Sequence, residues 1–495
     1  MGVRTMMHRR DILALAMTAA VLPVALPPAP AVAQARDVRA EQTDRAVNAF
    51  MAAFRVPGAQ VAVVKDGRIV FSRAYGAANV AFGVPAAKDS VFTLASITKA
   101  FTGLAAMQAV QAGELDLSAP VSRYLDGLPE AWRPVTIRQL LSHMSGLPDI
   151  NRAPTTETDA AQSWAWTIAQ PVHSAPGERF HYCQTNYVLI QRVLNKLHGQ
   201  AQDSTTADAQ IAAAGMVRTR YGDSRDLIPG KGPDYQFVYP DPGAPGVLQQ
   251  RHVVSLPTHR ASRGMVSTAE DMARWIIAIE QGKLLDSKLV ETMWAPVAFN
   301  DGKPGQWGMG WTILPRGAGR RAVGMTGGAR SAFFIYPEHD VAVVILTNLA
   351  GSYPEDAIDQ IAAIYAPDYR LIGVPALRAG LEAKGFADAD AVLAEVKRQD
   401  PSFAPGEADL NDWGYRLLAS RRTREALVVM KLIAGMFPQS GNAFDSLGEA
   451  YAATGDKAQA ITAYRRAIEL DPKNDNARNR LGRLEAAAAG SGGAG

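Results

Sequence analysis

Two runs rich in Val, Ile, Phe and Tyr flank Asp66-Gly67 within residues 61–75. An Asp-Gly pair favours the type I′ turn that matches strand twist, so this stretch predicts a β-hairpin. From Ser96 the period lengthens. Phe101, Leu104 and Met107 recur at helical spacing, and Gly113 is placed to end the helix in the left-handed conformation. Thr136 to Leu141 reads as a short helix. Tyr187 to Leu197 carries an apolar stripe of Val188, Leu189, Val193, Leu194 and Leu197. Residues 200–262 are rich in Gly, Pro and Asp and hold no sustained period, which predicts a long, mostly irregular excursion walling a cleft. Thr268 is set to cap a helix, with Asp271 three residues on, that continues through Arg274 to Leu284. From Trp307 the period shortens to that of strands: Met309 to Leu314, Ala322 to Met325, Ala332 to Tyr336 and Val341 to Leu346.

After about Ala366 the strand signal stops and the pattern is helical throughout. Gly414 is echoed by Gly448, Ala426 by Ala460 and Pro438 by Pro472, a period of 34. Leu447-Gly448, Tyr451, Ala460, Tyr464, Ala467 and Pro472 fit the tetratricopeptide pattern, and Leu481-Gly482 starts a truncated third unit as a capping helix. The expected division is a leader at 1–35, a mixed α and β domain at 36–370, a helical linker at 371–405 and a repeat domain at 406–488. The repeats are expected to form a separate body with a concave face.

Composition narrows the class. The chain has 495 residues, 47% of them hydrophobic and 20% charged, which describes globular domains and requires more than one core. A net charge of +3 and the lack of a basic run after the leader argue against nucleic acid as a partner. Arg4, Arg9 and Arg10 precede an apolar stretch from Ile12 to Leu26, with Ala31-Val32-Ala33 and Ala33-Gln34-Ala35 as cleavage candidates. This reads as a signal peptide whose Arg9-Arg10 resembles a twin-arginine export signal, so a periplasmic or secreted location is expected, with no membrane span in the mature chain. Cys183 is the single cysteine, so no internal disulfide can form.

The candidate chemistry centres on Ser96-Ile97-Thr98-Lys99. Residues three apart share a helix face. Ser96 would lie at a helix N-terminus that favours developing negative charge, with Lys99 as its base if burial keeps the amine partly neutral. His143, beside Ser142 and Ser145, has no acidic partner at a telling spacing and lies next to Ser-Gly-Leu-Pro turn chemistry, so a structural role is expected of it. The eight His residues show neither H-E-x-x-H nor Cys/His spacing, and no metal or other cofactor is implied.

Ser96-x-x-Lys99, then Tyr182-Cys183-Gln184, then Met325-Thr326-Gly327 follow the order found in the serine β-lactamase and penicillin-binding protein superfamily. Over roughly residues 40–365 the chain resembles its class C β-lactamase and D,D-peptidase-related branch, which has S-x-x-K, Y-x-N and a Lys or His before T-G. The stretches Leu140 to Pro148, Pro176 to Tyr187, Arg263 to Asp271 and Trp307 to Trp311 share in the likeness. The resemblance implies an α+β fold: an antiparallel sheet with helices on both faces and a helical subdomain, the cleft lying between them. An all-α repeat domain follows. It also implies an acylated Ser96, proton transfer shared by Lys99 and Tyr182, and an oxyanion hole from the Ser96 and Gly328 N–H groups. Gln184 would bind the substrate amide, and Met325, Thr326 and Gly327 would line the substrate.

Two positions depart from that pattern. Gln184 stands where Asn is usual, and Met325 where a cation is usual. A thioether can neither pair with a substrate carboxylate nor favour an ionised Tyr182, so neutral esters and amides are expected to be preferred unless Arg330 or Arg263 supplies the charge. The implied activity is hydrolysis of an ester or amide in a small molecule or peptide, β-lactams and D-amino-acid peptides included. The rival reading is a hydrolase fold that has lost activity and serves a protein partner of its repeats. Met325 supports the rival; the retained Ser96, Lys99 and Tyr182 support the enzyme.

Overall fold

Asp66 and Gly67 both take left-handed conformations, with φ of +50° and +67°, and they fold β1 (Gly58–Lys65) against β2 (Arg68–Asn79) as the hairpin pattern requires. In the computed structural model, which describes residues 37–200, 207–239, 246–317, 319–328 and 330–491 with side chains to residue 486, this hairpin supplies two strands of a seven-stranded sheet. β3 (Val84–Pro85) borders β2. β4 (Thr312–Pro315), β5 (Arg321–Gly327), β6 (Ser331–Tyr336) and β7 (Val341–Thr347) complete it, in the order β3-β2-β1-β7-β6-β5-β4. Every neighbouring pair is antiparallel. The leader expected at residues 1–35 lies outside the described residues.

The sheet is buried on both faces, which is why β1 and β7 read as continuous apolar runs instead of alternating ones. Val61, Val63, Val343 and Ile345 point to one face, where α1 (Val38–Phe54) and α5 (Glu355–Tyr365) cover them with Phe50, Phe54, Ile358 and Ile361. Ala62, Val64, Val323, Phe333 and Ile335 point to the other. There α2 (Thr98–Gln111), α3 (Thr185–Leu197) and α4 (Ala269–Glu280) build the larger core, with Phe101 stacked on Trp275 at 3.9 Å and Trp275 on Trp311 at 5.4 Å.

Two local expectations change. The described residues between 207 and 262 hold more pairing than their composition suggests: Asp234–Val238 and Val247–Arg251 form a hairpin, and Arg220–Tyr221 joins Met265–Ser267, which pairs in turn with Phe92–Thr93. Short strands of polar residues carry little periodicity, so pairing alone reveals them. The helix after Thr268 stops at Glu280, and Gly282 turns the chain with φ of +69°. Thr268 Oγ1 does cap it, accepting from Asp271 N at 3.1 Å.

Seven helices follow the sheet domain: α6 (Gly373–Ala383), α7 (Ala389–Gln399), α8 (Glu407–Ala419), α9 (Thr423–Met436), α10 (Gly441–Thr454), α11 (Lys457–Leu470) and α12 (Asp475–Ser491). Glu407, Gly441 and Asp475 open successive units at the period of 34. Gly448 is a glycine for contact: a Cβ there would meet the Tyr464 ring at 2.7 Å. The helix pair expected as a linker is part of this array, because Leu377, Leu381, Val392 and Val396 enter the same core as Trp413, Leu417 and Ile433. Nor is the array a separate body. From Arg39 the chain is one compact unit, and Arg378 of α6 and Arg416 of α8 pair with Asp356 of α5 at 2.9 and 2.8 Å. Among the described residues no helix is long and apolar enough to cross a membrane.

Candidate active site

Ser96 sits in a 3-10 turn, Ala95–Ile97, immediately before α2. Ala95 takes φ of +47°, a strained conformation for a residue with a Cβ. The turn is held from several sides. Thr98 Oγ1 donates to Ala95 O at 2.7 Å and accepts from Met265 N at 3.1 Å, and Ser331 Oγ donates to Thr93 O at 2.8 Å. β5 lies flush against it: a Cβ on Gly327 would fall 1.9 Å from Leu94 O, so the T-G glycine is required by this approach. The next residue, Gly328, turns outward with φ of +57° beside Ala95.

Lys99 is fully buried below Ser96. Its Nζ lies 2.7 Å from Gln184 Oε1, 2.8 Å from Ser262 O and 3.4 Å from Ser96 Oγ. Burial holds its pKa well below the ordinary lysine value; Asp149 opposes that shift and Arg263 adds to it. A neutral amine has two N–H donors and one lone pair. As an ammonium, Lys99 donates to both carbonyl oxygens and to Ser96 Oγ; once it loses a proton the two carbonyls take its donors and the lone pair is left on the Ser96 side.

Tyr182 contributes a phenol that burial pushes up to about 12, with the Ser96 and Gln184 side chains acting on it as hydrogen-bonding partners in the opposite direction. Burial therefore favours the neutral O–H at physiological pH. His143 lies behind Tyr182, ring centroids 4.3 Å apart, and Trp307 lies edge-on to it. The His143 Nδ1 accepts from Cys183 N at 3.0 Å, and burial holds the imidazole well below its usual pKa, so it remains neutral and structural.

Gln184 and Met325 differ from their implied roles. Gln184 is buried, its Oε1 holds Lys99, and its backbone N–H donates to Asp149 Oδ1 at 3.0 Å. Its side chain thus contacts Lys99 directly. Met325 is 2% exposed. Strand alternation directs it, with Val323, into the core under α2, and its Sδ contacts Thr312 Oγ1 at 3.8 Å. It does not face the cleft as expected. Thr326, on the opposite face of β5, is partly exposed. Ser262 O, Asp149, His143 and Trp307 were not among the expected site residues. A backbone acceptor has no side-chain signature; Asp149 carries one, since it follows Pro148 as the cap of a short helical turn.

Met325→Lys should consequently destabilise the fold by about 2–3 kcal/mol, because it buries an amine where there is no acceptor carboxylate. Urea unfolding would measure this. A variant as stable as the parent would mean that the side chain escapes to the cleft after all.

A buried amine held against a serine at the entry to a helix, beside β5 and β6 of an antiparallel sheet, is the arrangement of a β-lactamase-type serine hydrolase domain. Residues 43–366 match the Beta-lactamase family, and the chain belongs to it. Residues 448–484 match a TPR repeat. Penicillin-binding protein 4* of Bacillus subtilis is 27% identical over 336 residues, covering 64% of this chain and 72% of its own. Protein flp of Staphylococcus aureus is 24% identical over 335 residues, 65% of each chain. Among solved structures, the octameric penicillin-binding protein homologue from Pyrococcus abyssi aligns with a TM-score of 0.54 at 25% identity, over 66% of this chain and 76% of that one. The hydrolase EstCE1, at 21% identity, shares the fold with a TM-score of 0.55 over 66% of this chain and 98% of its own.

Proposed function

We propose that the protein is an exported serine hydrolase that cleaves ester or amide bonds through an acyl-Ser96 intermediate. The observation that carries this reading is the Lys99 amine, fully buried, held by the Gln184 and Ser262 carbonyl oxygens and 3.4 Å from Ser96 Oγ. Ser96 Oγ attacks the substrate carbonyl and its proton passes to Lys99 Nζ. The negative oxygen is received by the Ser96 and Gly328 N–H groups, the first at the entry to α2 and the second on the turn abutting Ala95. Tyr182 passes the proton to the leaving oxygen or nitrogen. Water then attacks the acyl carbon, and the same groups run in reverse to free Ser96. The Arg9-Arg10 leader supports export, and the repeat array supports a protein partner.

Incubation with a neutral alkyl fluorophosphonate, followed by peptide mass spectrometry, is expected to find one adduct, on Ser96, absent from Ser96→Ala. An unlabelled Ser96 in a folded protein would sink the proposal.

A further inference from the structure

The cation missing from position 325 has two replacements available in the sequence, and the structure separates them. Arg330 is 3% exposed and pairs with Asp234 at 3.3 Å. Its guanidinium lies under the Gly328 turn, where a Cβ on that glycine would approach Nη2 to 3.0 Å. Its charge is therefore paired within the fold by Asp234, although its Nε and Nη1 make no hydrogen bond.

Arg263 is arranged differently. It follows Ser262, whose carbonyl holds Lys99 Nζ, so it stands on the wall of the site. Its Nε and Nη2 are buried and have no hydrogen-bond partner, and among the described residues it forms no ion pair. These two nitrogens form the side-on edge of the guanidinium, the edge that receives both oxygens of a carboxylate at once. The chain uses that edge elsewhere in this way. Arg316 places Nε and Nη2 on Asp359 at 2.9 and 3.0 Å, and Arg225 places them on Asp223 at 3.1 and 2.6 Å. The carboxylates around Arg263 have other engagements. Asp149 accepts from Asn151 N and Gln184 N, Asp223 is held by Arg225, and Glu157 is exposed to solvent. A buried guanidinium edge with no acceptor is costly unless something fills it, and a turn of the side chain into the cleft would let a substrate anion do so.

We propose that the Nε/Nη2 edge of Arg263 binds a free carboxylate on the substrate, so that the Ser96 site selects anionic esters or amides. This rests on the acyl-Ser96 reading and reverses the preference for neutral substrates expected from Met325.

The test pairs mono-4-nitrophenyl glutarate with 4-nitrophenyl valerate, equal in length and differing in the terminal carboxylate. The selectivity ratio of their kcat/KM values should fall about 10²-fold in Arg263→Gln, mostly through KM of the glutarate. Arg263→Lys, which keeps the charge and loses the fork, should be intermediate. Glutarate monoanilide should bind Ser96→Ala measurably by calorimetry and lose that binding in Ser96→Ala/Arg263→Gln. An unchanged ratio, equal losses on both esters, or unchanged anilide binding would overturn the assignment. Fluorophosphonate labelling keeps the two readings apart. If Ser96 is labelled and the ratio does not move, this inference alone fails. If Ser96 is not labelled, the hydrolase reading fails, and the anilide titration still decides whether Arg263 holds a carboxylate.

Discussion

Lys99→Met is expected to abolish turnover about as completely as Ser96→Ala, by three orders of magnitude or more, and at the same time to make the protein more stable. Both effects come from one fact. The amine is fully buried and its pKa is held well below 10.5, chiefly by loss of hydration. Only the neutral amine can take the Ser96 proton, so kcat/KM should rise with pH through the depressed Lys99 pKa and then level off. The plateau should extend beyond pH 10, because Tyr182 stays protonated up to about 12. For stability, the unfolded chain holds the lysine proton more tightly than the folded one. Stability from this group therefore increases as pH rises from the folded pKa towards the unfolded value, and below that window the buried amine is a net cost. Met is similar in length and carries no charge, so it removes that cost. A pH–rate profile on a neutral ester, with thermal melts of both proteins at pH 7, measures the pair of effects. A Lys99→Met protein with substantial turnover, or an ascending limb centred near the ordinary lysine value, would rule Lys99 out as the base.

The pairing of Ser96 with Lys99 was legible because the 3-10 turn of Ser96 runs directly into α2, so that a separation of three residues fixes their geometry. The hairpin at Asp66-Gly67 and the period of 34 were legible for the same reason: turn chemistry and repetition are local. What tunes Lys99 was not. The Ser262 carbonyl comes from a segment 163 residues away, and a peptide oxygen looks the same at every position. The inward direction of Met325 was available in principle, since Val323 and Met325 alternate along β5, but the family motif drew attention to the cleft instead. Similarly, Leu377, Leu381, Val392 and Val396 carry an amphipathic pattern that marks residues 371–405 as part of a core, not a linker. Arg263 fits no motif. Its significance lies in hydrogen bonds that are not made, which a sequence does not display.

The arginine that joins the repeats to the hydrolase domain carries the second large expectation: Arg416→Met should destabilise the whole chain by about 3–5 kcal/mol, the usual cost of stranding buried carboxylates. Arg416 Nη1 donates to Glu355 Oε1 at 3.3 Å and to Asp356 Oδ1 at 2.8 Å, while Nη2 reaches Asp412. Arg378 shares Asp356 at 2.9 Å, and Tyr353 lies beneath the Arg416 guanidinium at 5.6 Å. With Arg416 removed, Asp356 keeps one partner and Glu355 loses its hydrogen-bonded one. Burial already raises the Glu355 carboxyl to about 7, and the neighbouring Asp356 adds to that, against the pull of Arg416 and Arg378. A carboxyl whose folded pKa exceeds its unfolded value binds protons more readily in the native state, so stability falls as pH rises from about 4.5 to about 7. Loss of Arg416 raises the folded pKa further and widens that window upward. The deficit of Arg416→Met should therefore be largest above pH 7 and shrink towards pH 5, and adding Glu355→Gln should recover part of it at pH 8. Urea unfolding of the parent, the single and the double variant at pH 5 and pH 8 decides the matter. A deficit equal at both pH values, with no recovery from Glu355→Gln, would show that Arg416 matters through packing on Tyr353 and not as the partner of a buried carboxylate.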